Sequence, residues 1–340
     1  MNVMTPQMDM KNTSRPLRLG FLGTGWIGRH RMKAILDTGL ATAAAIADPS
    51  PEMAAAALQL APEARYIEDV DRLIEEDLDG IVIATPSAAH AEQSIMALKK
   101  GKAVFCQKPL GRSAEEVRAV VEAARTADRL LGVDLSYRHT AAVRAIRQLI
   151  DTNALGSVFA VDLTFHNAYG PDKPWFYDRT LSGGGCVIDL GVHMVDLALW
   201  SLGFPKVAAV SSHLMKDGQP LAPEDVEDFA VATLTLETGA VLRLACSWKL
   251  QAGCDAVIGA SFYGREGGAG FRNVDGSFYD FTSERYAGTN VETLTRAPDD
   301  WGGRAAADWV RRLSQGDRFD PAAEQFIVVA DVLDRIYAGR

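Results

Sequence analysis

Between Arg18 and Asp134, short apolar runs alternate with longer segments in which apolar residues recur at helical spacing. This alternation is typical of βαβ units, in which parallel strands form one sheet covered by helices. The predicted strands are Leu17–Leu22, Ala43–Ala47, Gly80–Ala84, Ala103–Cys106 and Leu131–Val133. The predicted helices are Ile27–Leu36, Pro51–Leu60, Val70–Glu75, Ala89–Lys100 and Ala114–Ala127. We therefore expect an α/β fold with a doubly wound parallel sheet at the N-terminal side.

The pattern changes after a predicted linking helix at Ala142–Asp151. Longer runs follow in which polar and apolar residues alternate, as in antiparallel strands with one buried face. These strands are Val158–Phe165, Val207–His213, Phe229–Glu237 and Val241–Trp248, and two helices follow at Arg304–Leu313 and Pro321–Tyr337. We expect residues 15–138 to form the first domain and residues 139–340 a second α/β domain with a largely antiparallel open sheet. Residues 1–14 are expected to be a flexible leader.

Composition narrows the class of protein. The chain has 340 residues with 48% hydrophobic content, which exceeds what one hydrophobic core usually supports. A net charge of −9 without a basic cluster argues against nucleic acid or an anionic membrane as a partner. The four cysteines form no C-x-x-C pair, and no apolar run suggests a membrane span. These features favour a cytoplasmic protein with small-molecule partners and no bound metal.

A glycine-rich turn follows the first predicted strand. Gly23, Gly25 and Gly28 stand at G-x-G-x-x-G spacing, with Trp26 and Ile27 opening a helical pattern. The first glycine permits a sharp turn, the second permits close approach to a pyrophosphate, and the third permits close contact between helix and sheet. The free N–H groups of the helix N-terminus also favour an anion there. The turn predicts a Rossmann-type dinucleotide site.

Asp48 ends the second predicted strand, 20 residues beyond Gly28. An acid at this spacing hydrogen-bonds the adenosine ribose hydroxyls and repels a 2′-phosphate. No arginine follows at Pro49 or Ser50 to offset that charge, so Asp48 favours NAD over NADP. A turn-forming Asp-Pro with no part in cofactor binding is the alternative.

A third polar segment, with Thr85, Pro86 and His90, lies just beyond the strand at Gly80–Ala84. Cofactor crevices of doubly wound sheets form at this carboxyl edge. Thr85 and Pro86 are therefore predicted cofactor contacts. His90 has two open interpretations, a cofactor contact or a packing or capping residue.

Two segments about eighty residues apart add a lysine, a carboxylate and an imidazole. Lys108 lies between Gln107 and Pro109 at the end of a predicted strand, and a run of three glycines at 183–185 leads into Asp189 and His193. Hydride transfer from an alcohol requires a base and a polarising donor at one oxygen. Beside a dinucleotide site, these groups suit the proton-handling part of such an enzyme.

With these residues in place, the chain resembles the glucose-fructose oxidoreductase, inositol dehydrogenase and rhizopine-catabolism family, the Gfo/Idh/MocA oxidoreductases. The resemblance covers nearly the whole chain. It rests on the glycine turn at Gly23–Gly28, on Ala84-Thr85-Pro86 with His90, on Gly101–Val104 running into Gln107-Lys108-Pro109, and on Gly183–Gly185 with Asp189, His193 and Asp196.

The resemblance implies roles for three residues. His193 would be the catalytic base, since an imidazole exchanges protons near neutrality. Lys108 would stabilise the developing alkoxide and contact both cofactor and substrate. Asp189 would bind a substrate hydroxyl or orient the imidazole. A structural histidine and a solvated lysine are the alternatives, and Asp196 is expected to pair structurally.

Other candidate contacts are less specific. Gln107 replaces the family's usual glutamate, and its amide can still hydrogen-bond a ribose or a carboxamide. Arg138 ends the first domain and is a candidate contact to the nicotinamide or the substrate. Tyr169 and Trp175 lie in an aromatic stretch before the glycine run, where they would pack on a sugar ring or belong to an ordinary core.

The resemblance predicts an NAD-dependent dehydrogenase that oxidises a secondary alcohol of a sugar, polyol or inositol-like substrate. Two alternatives stay open at this point. One is a relative that reduces another carbonyl or imine, or holds its cofactor tightly for net non-redox chemistry; the other is a non-catalytic nucleotide-sensing protein. The open second sheet predicts a homodimer or homotetramer, because an exposed apolar sheet promotes association.

Overall fold

A computed structural model describes residues 15–339, so the predicted flexible leader at residues 1–14 lies outside the described residues. The first sheet contains six parallel strands in the order β3-β2-β1-β4-β5-β6. Its strands are β1 Leu17–Leu22, β2 Ala41–Ala47, β3 Arg65–Tyr66, β4 Gly80–Ile83, β5 Ala103–Cys106 and β6 Leu131–Val133. The helices between them are α1 Trp26–Leu36, α2 Pro51–Leu60, α3 Val70–Glu75, α4 Ser87–Lys99 and α5 Ala114–Ala127. The predicted doubly wound parallel sheet is confirmed.

The second sheet contains nine strands in the order β15-β14-β13-β12-β7-β11-β10-β8-β9. β7 and β11 run parallel, and the other neighbouring pairs are antiparallel, as predicted. The strands are β7 Val158–Asn167, β8 Val207–Lys216, β9 Gln219–Pro220, β10 Phe229–Leu236, β11 Val241–Ser247, β12 Ala256–Gly264, β13 Gly268–Asn273, β14 Phe281–Ala287 and β15 Asn290–Thr295. The helices are α6 Ala141–Asp151, α7 Arg179–Ser182, α8 Val192–Ser201, α9 Arg304–Ser314 and α10 Glu324–Ala338.

The sequence patterns missed six strands, β3, β9 and the four from β12 to β15. β3 and β9 have two residues each, which is too short for a periodic pattern. β12 and β13 contain four glycines, which are depleted in strands. β15 lies at the edge of the sheet with its first four residues exposed, so it has no apolar alternation to detect.

The C-terminal helices return to the first sheet. Trp309 of α9 packs 5.8 Å from the ring of Phe105, and a Cβ at Gly132 would lie 2.7 Å from the Trp309 side chain. α10 contributes Ile327 to the core of the first sheet and Leu333 to the core of the second. The two halves therefore share packed helices, and the domain boundary after Arg138 stays a prediction.

One helical stretch, Arg179–Ser201, is long and apolar enough to cross a membrane by length and composition. Within the fold, 83% of its apolar window is buried, as in a core helix. A turn of π-helix at Val187–Gly191 interrupts this stretch and continues directly into α8. π-Turns inside helices often mark functional sites, and this one contains Asp189.

Candidate active site

A cleft of about 1170 Å³ opens at the carboxyl edge of the first sheet, against loops and helices of the second half of the chain. Its size matches that of a site for a large ligand. The predicted site residues that line it are Gly23, Gly25, Trp26, Ile27, Asp48, Thr85, Pro86, His90, Gln107, Lys108, Trp175, Asp189 and His193. Three predicted site residues, Gly28, Arg138 and Tyr169, do not line it.

The glycine turn has a shape that only glycine permits at two of its positions. Gly23 adopts a φ of +78°, and a Cβ there would lie 2.5 Å from the carbonyl oxygen of Ala84. A Cβ on Gly28 would lie 2.2 Å from the carbonyl oxygen of Gly23. Around Gly25, by contrast, a Cβ would meet no described atom within 4 Å, because that position faces the open cleft. An anion can therefore approach the backbone at Gly25 and the N-terminus of α1.

Asp48 fixes the glycine turn as well as lining the cleft. One carboxylate oxygen accepts hydrogen bonds from the backbone N–H of Thr24, at 2.6 Å, and from its hydroxyl, at 3.1 Å. The other accepts from the backbone N–H of Ser50 at 2.8 Å. A carboxylate has about four acceptor positions, so this arrangement leaves capacity for a ribose hydroxyl. The turn role and the predicted cofactor role are compatible.

Arg29 is a cleft residue that the sequence patterns did not identify. Its guanidinium donates to the Thr24 carbonyl at 2.6 Å and contacts the sulfur of Met53. It therefore lies on the same side of the glycine turn as Asp48. In the sequence, an arginine that offsets the charge of Asp48 is expected directly after it, whereas Arg29 comes from the first helix.

His90 joins two backbone segments of the site. Its Nδ1 lies 2.7 Å from the carbonyl oxygen of Pro109, and its Nε2 lies 2.6 Å from that of Thr85. The ring is buried, and this burial lowers its pKa. Both ring nitrogens face backbone carbonyls, and the neutral imidazole donates to one of them. The geometry therefore favours the packing interpretation, in which His90 holds the turn that carries Lys108 against the end of β4.

Gln107 and Asp134 emerge side by side from neighbouring strands. Cys106 pairs with Val133 in the parallel β5–β6 register, so the next residue of each strand reaches the carboxyl edge at the same level. The Gln107 amide donates to Asp134 Oδ2 at 2.5 Å, and Arg31 Nε donates to the same oxygen at 2.5 Å. Sequence patterns missed Asp134 and Arg31; the position of Asp134 directly after a predicted strand was the available signal.

Lys108 and Asp189 form an ion pair inside the cleft. Lys108 Nζ donates to Asp189 Oδ1 at 2.6 Å and to the Asp189 carbonyl at 2.7 Å. The indole N–H of Trp248 donates to Asp189 Oδ2 at 3.1 Å. The segments that the sequence separates by about eighty residues therefore meet, and both charges keep partial access to the cleft, with side chains 20% and 14% exposed.

A buried glutamate holds the glycine run that leads to Asp189. Glu227 accepts hydrogen bonds from the backbone N–H groups of Gly185, at 2.9 Å, and Val187, at 3.0 Å. The hydroxyl of Tyr337 donates to it at 2.7 Å. A Cβ on Gly185 would lie 1.9 Å from the Glu227 carbonyl oxygen, which explains the glycine there. No sequence motif indicated Glu227, because its partners are backbone groups distant in the chain.

His193 lies at the start of α8 with its ring 5.0 Å from that of Tyr137. It is 8% exposed, and its Nδ1 has no hydrogen-bond partner among residues 15–339. Burial and the positive charges of Lys108 and Arg31 hold the pKa of His193 well below the ordinary 6.5. The imidazole is therefore neutral at pH 7 and able to accept a proton.

Asp196 faces away from the cleft, although it lies on the same helix as His193. Its two carboxylate oxygens accept from Arg138, with the Nε contact at 2.8 Å. Arg138 also donates to Gln325 at 3.0 Å, so its side chain is held away from the cleft. Asp196 thus pairs structurally, as expected, and the guanidinium of Arg138 has no contact with the cleft in this geometry.

Aromatic side chains from the second half of the chain also line the cleft. Trp175 stacks on Phe176 with ring centroids 3.8 Å apart, and both line the cleft. Tyr279 and Trp301 also line it, from a segment in which the sequence patterns had identified no element. Tyr169 instead hydrogen-bonds the carboxylate of Asp255 and is 56% exposed. The faces of such rings suit the apolar faces of a sugar.

Comparison with known proteins agrees with this geometry. A family model described as "Oxidoreductase family, NAD-binding Rossmann fold" matches residues 17–135, and one described as "GFO/IDH/MocA C-terminal domain" matches residues 143–269. Two similar curated proteins are D-glucoside 3-dehydrogenase of Escherichia coli, 27% identical over 85% of this chain and 84% of that protein, and inositol 2-dehydrogenase of Rhodococcus erythropolis, 26% identical over 90% and 95%.

Solved structures show the same fold. Levoglucosan dehydrogenase in complex with NADH and levoglucosan aligns with a TM-score of 0.83 at 23% identity, covering 96% of this chain and 97% of that one. A 3-ketoreductase from Actinomadura kijaniata in complex with NADP and TDP-benzene aligns with a TM-score of 0.81 at 20% identity, covering 96% and 98%.

Proposed function

We propose that this chain, which belongs to the GFO/IDH/MocA family of NAD-binding oxidoreductases, oxidises a secondary alcohol of a sugar, polyol or inositol-like substrate. One observation carries the proposal. Lys108, paired with Asp189, and a neutral His193 line the same cleft as the glycine turn. A base and an oxyanion-stabilising cation therefore share one cleft with the site for a dinucleotide.

In the proposed reaction, His193 accepts the hydroxyl proton of the substrate. The ammonium of Lys108 stabilises the negative charge that develops on the oxygen, and Asp189 holds that ammonium in position. When bound, a nicotinamide would supply the hydride acceptor: the carbinol carbon would lose a hydride and the oxygen a proton, which would leave a ketone. Burial of His193 keeps competing water from its ring.

NAD is the proposed oxidant. The backbone at Gly25 and the N-terminus of α1 would hold its pyrophosphate, and Asp48 would accept hydrogen bonds from the adenosine ribose. Asp48 would also repel a 2′-phosphate, which disfavours NADP. The charge of Arg29, which contacts Thr24 in the glycine turn, would favour NADP, so we expect a preference for NAD rather than complete exclusion of NADP.

The proposed substrate is a neutral ring with adjacent hydroxyls. The stacked Trp175 and Phe176 offer a flat apolar surface, while Asp189 accepts hydrogen bonds nearby. Curated relatives named D-glucoside 3-dehydrogenase and inositol 2-dehydrogenase support this class. A relative named 1,5-anhydro-D-fructose reductase supports the reverse reaction, reduction of a ketone with NADH, as the second candidate.

We further propose a cytoplasmic homodimer or homotetramer that binds neither nucleic acid nor membrane. The net charge of −9 opposes binding to polyanions. Val257 and Tyr263 of β12 are 36% and 38% exposed on the face opposite the core, and an exposed apolar sheet face of this kind promotes association between subunits. Sedimentation of a monodisperse monomer at micromolar concentration would contradict the oligomer.

The experiment is NADH fluorescence after the purified protein is mixed with NAD, or separately NADP, and a panel of glycosides, inositols, levoglucosan and sugar acids. We expect a signal with NAD and one substrate class, and a weaker signal with NADP. The Lys108→Met variant is the matched negative control, and Lys100→Met is the surface control. Firm NADH binding without turnover of any substrate in either direction would contradict the proposal and favour a nucleotide-sensing protein.

A further inference from the structure

At the carboxyl edge of β5 and β6, the carboxylate belongs to Asp134, and residue 107 carries an amide. Asp134 is 1% exposed and lines the cleft beside Gln107, which is 8% exposed. The backbone N–H of Asp134 donates to the Cys106 carbonyl at 2.9 Å, and that of Gln107 donates to the Ile83 carbonyl at 2.8 Å. Both residues are therefore fixed by the sheet itself.

The hydrogen bonds determine how the Gln107 amide is oriented. Asp134 Oδ2 accepts from both Gln107 Nε2 and Arg31 Nε at 2.5 Å. A carboxylate can only accept hydrogen bonds, so the amide nitrogen must face Asp134. The amide oxygen of Gln107 therefore faces the other way, and it has no hydrogen-bond donor among residues 15–339.

The charges explain why an amide suits position 107 in this chain. A glutamate there would place a second carboxylate at hydrogen-bond distance from Asp134 in a buried environment. Two such carboxylates cannot both ionise at neutral pH without a large penalty. With Gln107, the single negative charge stays on Asp134, where Arg31 balances it.

We propose that Asp134 is a positioning residue that turns the Gln107 amide oxygen toward the cleft, where it accepts a hydrogen bond from the nicotinamide riboside half of NAD. The donor would be a ribose hydroxyl or the carboxamide N–H. This inference rests on the proposed function. Gln107 precedes Lys108 and follows β5, a strand of the sheet that carries the glycine turn, whereas Trp175 and Phe176 belong to the second half of the chain. The cofactor, rather than the sugar, is therefore its ligand.

The test is a double-mutant cycle on cofactor binding, which needs no turnover. NADH affinity is measured by fluorescence titration for wild type, Gln107→Glu, Asp134→Asn and the double variant. Affinity for ADP, which lacks the nicotinamide riboside, is measured by calorimetry on the same samples. We expect each single variant to weaken NADH about tenfold at pH 8, with ADP changed less than about twofold.

The double variant supplies the decisive result. In it, the amide introduced at position 134 would donate to the carboxylate introduced at position 107, which restores both the pairing and an acceptor facing the cleft. We expect NADH affinity within about threefold of wild type, and we expect the Gln107→Glu single variant to recover affinity at pH 6, as one of the two carboxyls takes a proton. A double variant as weak as the product of the two single losses would overturn the inference.

Controls separate this inference from structural damage and from the proposed function. Asp196→Asn breaks a buried aspartate–arginine pair outside the cleft, so it should lower stability without changing the ratio of NADH to ADP affinity. If Asp134→Asn does not fold, Gln107→Met, which removes the acceptor at similar volume, should still weaken NADH alone. Unchanged NADH affinity in Gln107→Met overturns the inference. Wild type that binds neither nucleotide overturns the proposed function as well.

Discussion

Asp189 and Asp196 lie on one helical stretch, and each forms an ion pair with a cation from elsewhere in the chain. The surroundings of the two pairs differ. Lys108–Asp189 lies in the cleft, with one ammonium contacting a single carboxylate oxygen and a carbonyl. Arg138–Asp196 lies outside it, with both carboxylate oxygens engaged by one guanidinium and with Gln325 as a further partner. The guanidinium is also flanked by the rings of Trp200 and Phe204, at 5.9 and 5.4 Å.

This contrast supports the proposal that the Lys108–Asp189 pair takes part in the reaction and the Arg138–Asp196 pair is structural. A lysine ammonium is a compact point charge that can exchange partners, whereas an arginine fork bound to two oxygens is fixed in one geometry. Asp189 and Asp196 are seven residues apart, and this spacing alone does not distinguish a catalytic aspartate from a structural one. Their partners and their access to the cleft support the proposed catalytic role of Asp189 and a stabilising role of Asp196.

Breaking the structural pair should have the greatest effect on stability. Arg138→Met leaves Asp196 buried without its partner, and breaking a buried pair from one side costs about 3 to 5 kcal/mol of the free energy of unfolding. Urea denaturation measures this loss. The exposed pair Lys33–Asp37 is the control, since Lys33→Met should cost less than about 0.5 kcal/mol. A loss below about 1 kcal/mol for Arg138→Met would contradict a stabilising role of the Arg138–Asp196 pair.

Disruption of the Lys108–Asp189 pair should instead lower turnover. Lys108→Met removes the cation at the developing alkoxide, and we expect kcat to fall about 10² to 10³-fold, or about 3 to 4 kcal/mol in the barrier. NADH affinity should change less than about fivefold, because the glycine turn is untouched. Steady-state kinetics and NADH titration measure the two effects. Near-normal turnover in this variant would show that the ammonium is not part of the chemistry.

The pH profile tests the assignment of the base. Burial and the charges of Lys108 and Arg31 lower the pKa of His193, so its neutral form, which accepts the proton, persists below pH 6.5. We expect the acid limb of kcat/KM to fall below pH 6.5, with less than about a tenfold loss at pH 5.5. Asp196→Asn should leave this limb in place. A half-maximal value at or above pH 6.5 would argue against a buried, neutral His193 as the base.

A weaker effect is expected from a histidine beside the structural pair. Burial and the charge of Arg144 lower the pKa of His139 to about 4. The unfolded chain therefore binds a proton between pH 6.5 and 4 that the folded chain does not, so stability from this group is present above pH 6.5 and decreases as the pH falls. We expect His139→Gln to reduce the difference in unfolding free energy between pH 7 and pH 5 by about 2 kcal/mol. An unchanged difference would mean that His139 titrates normally.

Much of the fold was predictable, because most strands and helices of the first sheet have a recognisable pattern of apolar residues in the sequence. Each strand from β1 to β6 except the two-residue β3 has an apolar run bounded by polar residues, and the helices between them have apolar residues at regular spacing. Four strands of the second sheet, β12 to β15, were not predictable, because β12 and β13 are rich in glycine and β15 is exposed at the edge.

The candidate site was predictable where a residue follows a strand or stands in a motif. Gly23, Asp48, Lys108, Asp189 and His193 are of this kind, and all of them line the cleft. Groups that act through distant backbone or neighbouring strands were missed. Glu227 and Arg29 belong to this second kind, since nothing in the sequence near them indicates their partners, whereas Asp134 was missed although it directly follows a predicted strand. Their roles depend on tertiary contacts that periodicity does not encode.

Deuterium transfer from substrate carbon to cofactor would test hydride transfer itself. Glycosides and inositols carrying deuterium on their secondary carbons are incubated with the protein and NAD, and the NADH formed is analysed by mass spectrometry. We predict one deuterium in each NADH, formed by wild type and strongly slowed in Lys108→Met. NADH without deuterium, or no NADH from any substrate although NAD binds, would contradict hydride transfer in this cleft.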